Sequence, residues 1–337
     1  MPNKITRLED LAHLAGVSTA TVSRALNDSP KVNQETKRRV WRLAQEHDYN
    51  FRPNMPAIMS GSDSTIAIVI PMHPGRDGKT SDPFYMELIG GVAEAAREVD
   101  CDIVISHFAP KNYDDLTHLV ETSRSEGIIF LGQSFLHERF NRLAKQDGRF
   151  VVWGANLPGQ QYCSVGSDNI RGGEKAVSHL LRLGRRKIVF LGDVEAPEFY
   201  QRYQGYLRAM EKADLDIDDR LISSAHLQPE SAESSVDAMI ASGYEFDAIF
   251  AASDLIAFGA IAALNRAGMR VPEDVAVVGY DNIVMGQYSN PPLTTISQDM
   301  MKAGRILVSK LLNSRSNKEL LSERLPTELI VRSSCGA

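Results

Sequence analysis

Residues 8–24 read Leu8-Glu9-Asp10-Leu11-Ala12-His13-Leu14-Ala15-Gly16-Val17-Ser18-Thr19-Ala20-Thr21-Val22-Ser23-Arg24. Leu8, Leu11, Ala12 and Ala15 recur at the i, i+3, i+4, i+7 spacing of one helix face, and Gly16 halts the run. Ser18 is placed to cap a second helix, Thr19 to about Leu26, which ends in the turn-forming Asn27-Asp28-Ser29-Pro30. A third helix is expected from about Gln34 to His47, with Val40, Leu43 and Ala44 facing inward. A helix-turn-helix needs a small residue where its helices approach, and Ala12 supplies it. It needs a turn residue at ease in left-handed geometry, which is Gly16, and an apolar residue under the second helix, which is Val22. The three at this spacing point to a head that reads duplex DNA.

Working outward, charge follows the same division. Residues 1–61 hold nine basic and six acidic side chains, +3 in all, so the remainder carries −9 of the net −6. A basic head on an acidic body suits a chain whose first segment alone meets phosphates. Residues 51–64, with Pro53, Pro56 and Gly61-Ser62-Asp63-Ser64, have the composition of a linker around one short apolar patch. Beyond it strands and helices alternate. Strand-like runs are Thr65–Ile70, Asp102–Ser106, Gly127–Leu131, Phe150–Trp153, Lys187–Leu191, Ala248–Ala252 and Val275–Tyr280, and a long helix is expected from about Phe84 to Val99. Such βαβ alternation implies parallel sheets covered by helices, and the number of strands implies two Rossmann-like lobes. The expected class is therefore α/β, with a three-helix head at 1–50, a hinge linker at 51–64 and a two-lobed domain at 65–337.

Several function classes lose support. With 43% hydrophobic and 24% charged residues the chain has an ordinary globular composition. No run of about 18 apolar residues suits a membrane span. The opening MPNKITRLEDLAHLAG lacks the apolar core of a secretory signal, so a cytoplasmic location is expected. Cys101, Cys163 and Cys335 are odd in number and widely spaced, and the eight histidines are scattered, so neither disulfides nor a metal site is expected. The loop Pro74–Thr80 contains Gly78-Lys79-Thr80, but a phosphate loop would need Gly where His73 stands, and Ser81-Asp82-Pro83 delays the next helix. No GxSxG, HExxH or dinucleotide GxGxxG follows a strand, so no enzyme and no cofactor is expected.

The stretch TRLEDLAHLAGVSTATVSRALNDSPKVNQETKRRV resembles the opening of the LacI/GalR family of bacterial repressors. The resemblance runs through VPEDVAVVGYDN and PPLTTI to the end of the chain. It implies base reading by Thr19, Ala20 and Arg24, where short side chains admit the backbone to the major-groove floor and an Arg takes guanine O6 and N7. Thr6, Ser18, Thr21, Ser23 and Asn27 are implied as further DNA contacts, the hydroxyls of Ser18, Thr21 and Ser23 and the Asn27 amide toward phosphates. In the family a short hinge helix forms when two copies meet on DNA, and a Leu wedges the minor groove. Here that Leu is lacking and an extra Pro56 is present; Asn54 could cap a brief helix, with Ile58 or Met59 as the wedge.

The same resemblance implies a homodimer with a small-molecule effector, a sugar by family precedent, bound between two periplasmic-binding-protein-like lobes. Its implied contacts are Asp281 and Arg202, which offer paired acceptors and donors to vicinal hydroxyls, with Phe84, Tyr85 and Trp153 as stacking surfaces. Asp168 opens the helix after the first crossover, where capping and ligand contact are both open. Asp254 reads as the N-cap of a helix starting at Leu255 rather than as a ligand contact. Ser253 stands where the family often has Asn, and Leu227 where it often has an aromatic, so no particular sugar transfers. A solute-binding protein of transport shares the lobes, but the head and the opening sequence argue against it.

Overall fold

The computed structural model describes residues 8–26, 29, 31–47, 64–71, 82–106, 108–123, 125–133, 135–314 and 321–337. The expected linker apart from its last residue (Ser64), the phosphate-loop look-alike and the site candidates Thr6, Asn27, Asn54, Ile58 and Met59 lie outside the described residues. The chain divides into two compact units, one before and one after the Ser62–Asp63 junction.

The first unit holds α1 (Leu8–Ala15), α2 (Thr19–Leu26) and α3 (Gln34–Glu46). Leu11, Ala12, Ala15, Val22, Ala25, Leu26, Val40 and Ala44 are buried in one small core. Gly16 takes φ +62, the left-handed turn expected of it, where any other residue would be strained. The turn closes through Val17 N–H to Ala12 O at 3.1 Å and Gly16 N–H to His13 O at 3.2 Å.

The second unit contains two six-stranded sheets. The first lobe is built from β1 (Thr65–Val69), α4 (Pro83–Glu98), β2 (Asp102–Ile105), α5 (Tyr113–Thr122), β3 (Gly127–Leu131), α6 (His137–Ala144), β4 (Phe150–Trp153) and β5 (Ser164–Ser167). Alternation along the strands sends Ile66, Ile68, Ile129 and Leu131 to one face, against Leu88 and Val92 of α4. Val69, Ile128 and Phe130 go to the other face, against Leu116 of α5 and Phe140 of α6. Both faces are thus covered.

The second lobe follows as α7 (Asn169–Arg182), β6 (Ile188–Leu191), α8 (Pro197–Lys212), β7 (Ile222–Ser223), α9 (Pro229–Ala241), β8 (Ala248–Ala251), α10 (Asp254–Arg266), β9 (Ala276–Asp281) and β10 (Thr294–Ser297). The chain then returns to the first lobe as α11 (Met300–Asn313) and β11 (Glu323–Leu325), and crosses back as β12 (Glu328–Ile330). The strand orders are β11-β5-β4-β3-β1-β2 and β12-β10-β9-β8-β6-β7, parallel except for β12 against β10. The lobes are therefore joined at three crossovers, near residues 168, 298 and 326.

α11 docks on α4 through glycines. A Cβ on Gly304 would lie 2.2 Å from Gly91 O, and one on Gly91 would lie 2.3 Å from Met300 O. Only hydrogen side chains permit this approach. Gly304→Ala is expected to push the two helices apart at a cost of about 1–3 kcal/mol. Thermal unfolding of the full chain should show the midpoint falling by several degrees. An unchanged midpoint would mean that the contact is looser than its distances imply.

Candidate functional site

In the head, α2 starts on its expected cap. Ser18 Oγ accepts from Thr21 N–H at 3.2 Å and lies 2.9 Å from Thr21 Oγ1. The same helix buries Val22 and leaves Thr19, Ala20 and Arg24 exposed, with Thr21 and Ser23 half-buried. An exposed N-terminal turn followed by an exposed Arg24 is the surface a recognition helix has to offer. Ser18 and Thr21 spend part of their hydrogen-bonding capacity on each other.

In the second unit a cleft of about 1020 Å³, open mouth included, lies where the parallel strands of both sheets end. Its first-lobe wall includes Asp82, Phe84 and Tyr85 at the start of α4, Gln133 beyond β3, Trp153 on β4 and Ser167 on β5. The second-lobe wall includes Asp193, Glu198, Phe199, Arg202, His226, Leu227, Ser253 and Asp281, and Asn169 and Gln298 line it from two crossovers. Seven of the expected effector residues thus meet here: Phe84, Tyr85, Trp153, Arg202, Leu227, Ser253 and Asp281. The rings of Phe84 and Trp153 are 6.1 Å apart and those of Phe84 and Tyr85 5.4 Å, which makes a continuous aromatic wall.

Two expectations need correction. Asp168 does not line the cleft; its carboxylate caps α7 by accepting from Arg171 N–H at 3.1 Å, and its neighbour Asn169 lines the cleft instead. Asp254 is not a cap. Ser253 caps α10, its hydroxyl accepting from Ile256 N–H at 3.3 Å, while Asp254 is fully buried one position inside the helix. In both cases two polar neighbours follow a strand end, and only one of them, Asn169 or Ser253, lines the cleft.

Arg202 organises the floor. Its Nε donates to Asn169 Oδ1 at 2.9 Å, and its Nη1 donates to Ala252 O and, at 3.4 Å, to Asp281 Oδ1. The guanidinium carbon sits 3.7 Å from the Tyr280 ring centre. Asp281 also accepts from Gln298 Nε2 at 2.5 Å. Its backbone φ of +119, followed by +58 at Asn282, is strained for residues with a Cβ. That strain is held by Asp254, whose carboxylate accepts from Ile283 N–H at 2.9 Å and from the Thr295 hydroxyl at 2.5 Å. Arg332 fixes the same turn by donating to Asn282 Oδ1 at 2.8 Å.

Sequence reasoning missed Gln133, Asn169, Ser167 and Gln298. Gln133 Nε2 donates to Ala155 O at 2.6 Å and to Tyr162 Oη at 2.8 Å, which leaves Gln133 Oε1 buried without a partner. Ser167 Oγ is likewise buried and unpartnered. Gln133 could have been found by looking just past the end of the β3 run, but Gln298 follows a strand too polar to stand out. Among the described residues no group of His, Cys, Asp and Glu is arranged to hold a metal ion.

A helix-turn-helix head in one chain with a two-lobed, cleft-bearing body is the architecture of a ligand-responsive transcription regulator. Residues 7–54 match the bacterial regulatory proteins of the lacI family, and residues 177–335 match the periplasmic binding protein-like domain. The HTH-type transcriptional repressor CytR of Escherichia coli (strain K12) is 30% identical over 335 residues, covering 98% of this chain and 96% of that protein. A solved complex of the transcriptional regulator CelR with cellobiose matches at 29% identity and a TM-score of 0.72, over 98% of this chain and 100% of that one. A LacI family transcriptional regulator from Enterococcus faecium with bound ribose matches at 26% identity and a TM-score of 0.68, over 80% of this chain and 98% of that one. The chain belongs to the lacI family of bacterial regulatory proteins. It is a transcription regulator and not an enzyme.

Burial pushes the Asp254 carboxyl up from the usual 3.8 to about 7, against the opposing pull of Thr295, Ile283 N–H and Arg332. Burial also raises Asp281 well above the carboxylate range, with Arg202 partly offsetting it and Asp254 adding to it. The folded protein therefore retains a proton on Asp254 that the unfolded chain releases near pH 3.8. Its stabilisation is complete below that pH and is lost as pH climbs toward 7. Asp254→Asn should flatten this decline. Melting temperatures of both proteins across pH 4–7 test it, and parallel profiles would reject the protonated form.

Proposed function

We propose that this protein binds operator DNA as a homodimer and that a neutral sugar in the cleft sets its affinity for that DNA. The observation that carries the ligand reading is the pair of unpartnered buried groups, Gln133 Oε1 and Ser167 Oγ, on a cleft that also presents an aromatic wall and a buried Arg202–Asp281 pair. Buried polar atoms without partners are costly unless a ligand completes them. A sugar brings hydroxyls for such groups and an apolar ring face for Phe84 and Trp153. Asp82, Asp193 and Glu198 outnumber Arg202 among the lining residues, and this favours a neutral sugar over a phosphorylated or acidic one. Cellobiose and ribose in the two solved relatives agree with that class.

Dimerisation fits half-site recognition by a single head and the apolar side chains that each lobe exposes, Val104, Ile105 and Phe108 in the first and Val284, Met285 and Tyr288 in the second. Thr19, Ala20 and Arg24 read bases; Ser18, Thr21 and Ser23, with Thr6, Asn27, Asn54, Ile58 and Met59 outside the described residues, complete the DNA contacts. Signalling runs through the crossovers: Asn169 and Gln298 hydrogen-bond to Arg202 and Asp281, so ligand contacts there bear on how the lobes are joined. Such a regulator acts in the cytoplasm, where its DNA is.

Calorimetric titration with neutral mono- and disaccharides, their phosphates and their uronates tests the ligand class. Ser167→Ala should weaken the neutral ligand by roughly 2–12-fold, the worth of one hydrogen bond, while the ligand-free melting temperature holds. Tighter binding of the charged sugars, or an indifferent Ser167→Ala, would end this assignment. For the head, Arg24→Ala should cost about 1–3 kcal/mol of operator affinity and relax preference at one base position in a selection experiment. An unchanged base preference would reduce Arg24 to a backbone contact.

A further inference from the structure

Ser167 and Asn169 line the cleft, but Asp168 between them lines a separate recess of about 520 Å³. The other residues around it are Arg171, Lys175, Arg324, Pro326 and Thr327. Arg171 and Lys175 stand one turn apart on α7, and therefore on one face. Arg324 comes from β11 of the other lobe. Three cations thus converge on one recess from both lobes, at two of the three crossovers. Among the described residues none of the three is in an ion pair, although Lys175 Nζ donates to Thr327 O. Asp168, the one carboxylate of the lining, is engaged in capping α7. Thr327, one of the lining residues, is only 5% exposed, and its hydroxyl is buried without a partner.

A scaffold gains nothing from this arrangement, because the three like charges repel one another and the buried hydroxyl is left without a partner. A ligand with several acceptor oxygens removes both penalties. Two guanidiniums, an ammonium and a hydroxyl make a donor set suited to a tetrahedral oxyanion. Three cations against one carboxylate leave a local charge of +2, the complement of a phosphate monoester dianion. We propose that this recess is a second ligand site that takes the phosphoryl group of a small phosphate monoester. The volume includes the open mouth of the recess, through which an organic remainder can extend toward solvent. A ligand gripped by Arg324 from one lobe and by Arg171 and Lys175 from the other favours the lobe arrangement in which they converge. It would thereby bias the cleft and the DNA response. The proposal does not rest on the neutral-sugar reading, since it concerns different residues and the opposite charge.

The test uses the full chain without DNA and follows its melting temperature. Sodium chloride is replaced at constant ionic strength by inorganic phosphate in one arm and by glucose 6-phosphate in another. Specific binding raises the wild-type midpoint above the chloride control. Arg324→Gln and Arg171→Gln should each weaken the apparent affinity roughly tenfold or more, Thr327→Val should weaken it less, and Lys187→Gln, at a distant surface pair, should keep the full shift. Equal shifts from both probes would show that the phosphoryl group alone is read. A shift with glucose 6-phosphate alone, lost in Arg324→Gln, would show that the sugar part contributes. No shift from either probe at 10 mM, or a shift that survives both arginine substitutions, overturns the site. Calorimetric titration of the same variants with phosphate separates lost binding from altered folding.

Discussion

Arg202 carries a permanent charge at a position only 4% exposed, so everything within reach of its guanidinium is constrained to satisfy it. It does so with groups from the second lobe and its first crossover: Asn169 at the start of α7, the Ala252 carbonyl from the end of β8, Asp281 from the end of β9, and the face of Tyr280. Leaving one partner of such a pair buried alone typically costs about 3–5 kcal/mol. The helix that bears Arg202 is pressed onto α7 closely enough that Gly173 lies against the Arg202 carbonyl and Gly205 against that of Ile170. The cleft floor and the packing of α7 on α8 are therefore one object.

The strained turn at Asp281 follows from that object. A residue with a Cβ holds φ +119 only where its surroundings over-determine it, and here Asp254, Thr295, Arg332 and Gln298 all hold the turn or its carboxylate. Asp254 contributes nothing to the cleft lining. It positions the residue that does, from full burial, and its raised affinity for a proton reflects that burial.

Charge is distributed with opposite sign on two sides of the same crossover. The cleft holds more carboxylates than cations, while the recess behind Asp168 gathers Arg171, Lys175 and Arg324. The chain turns from strand to helix at Asp168, and across that turn Ser167 and Asn169 line the cleft while Asp168 lines the recess. One segment of three residues thus lines both cavities.

How much of this was legible beforehand depended on the range of the forces involved. The head could be read from residues 8–24 because its determinants are local: a helical stripe, a left-handed Gly16 and a capping Ser18 follow one another directly along residues 8–18. Long apolar runs such as Gly127–Leu131 announced buried strands for the same reason. β5, β10, β11 and β12 read Ser-Val-Gly-Ser, Thr-Thr-Ile-Ser, Glu-Arg-Leu and Glu-Leu-Ile, and sequences so short and polar become strands only because a sheet edge is there to pair with them. Resemblance brought Arg202 and Asp281 forward, but it could not say that Asn169 rather than Asp168 lines the cleft, or that Ser253 rather than Asp254 caps α10. Sequence by itself determined the kind of parts, since propensity and periodicity act over a few residues. Tertiary structure alone decided which polar groups were buried without partners and which cations converged, because those facts depend on segments that only the folded chain brings together.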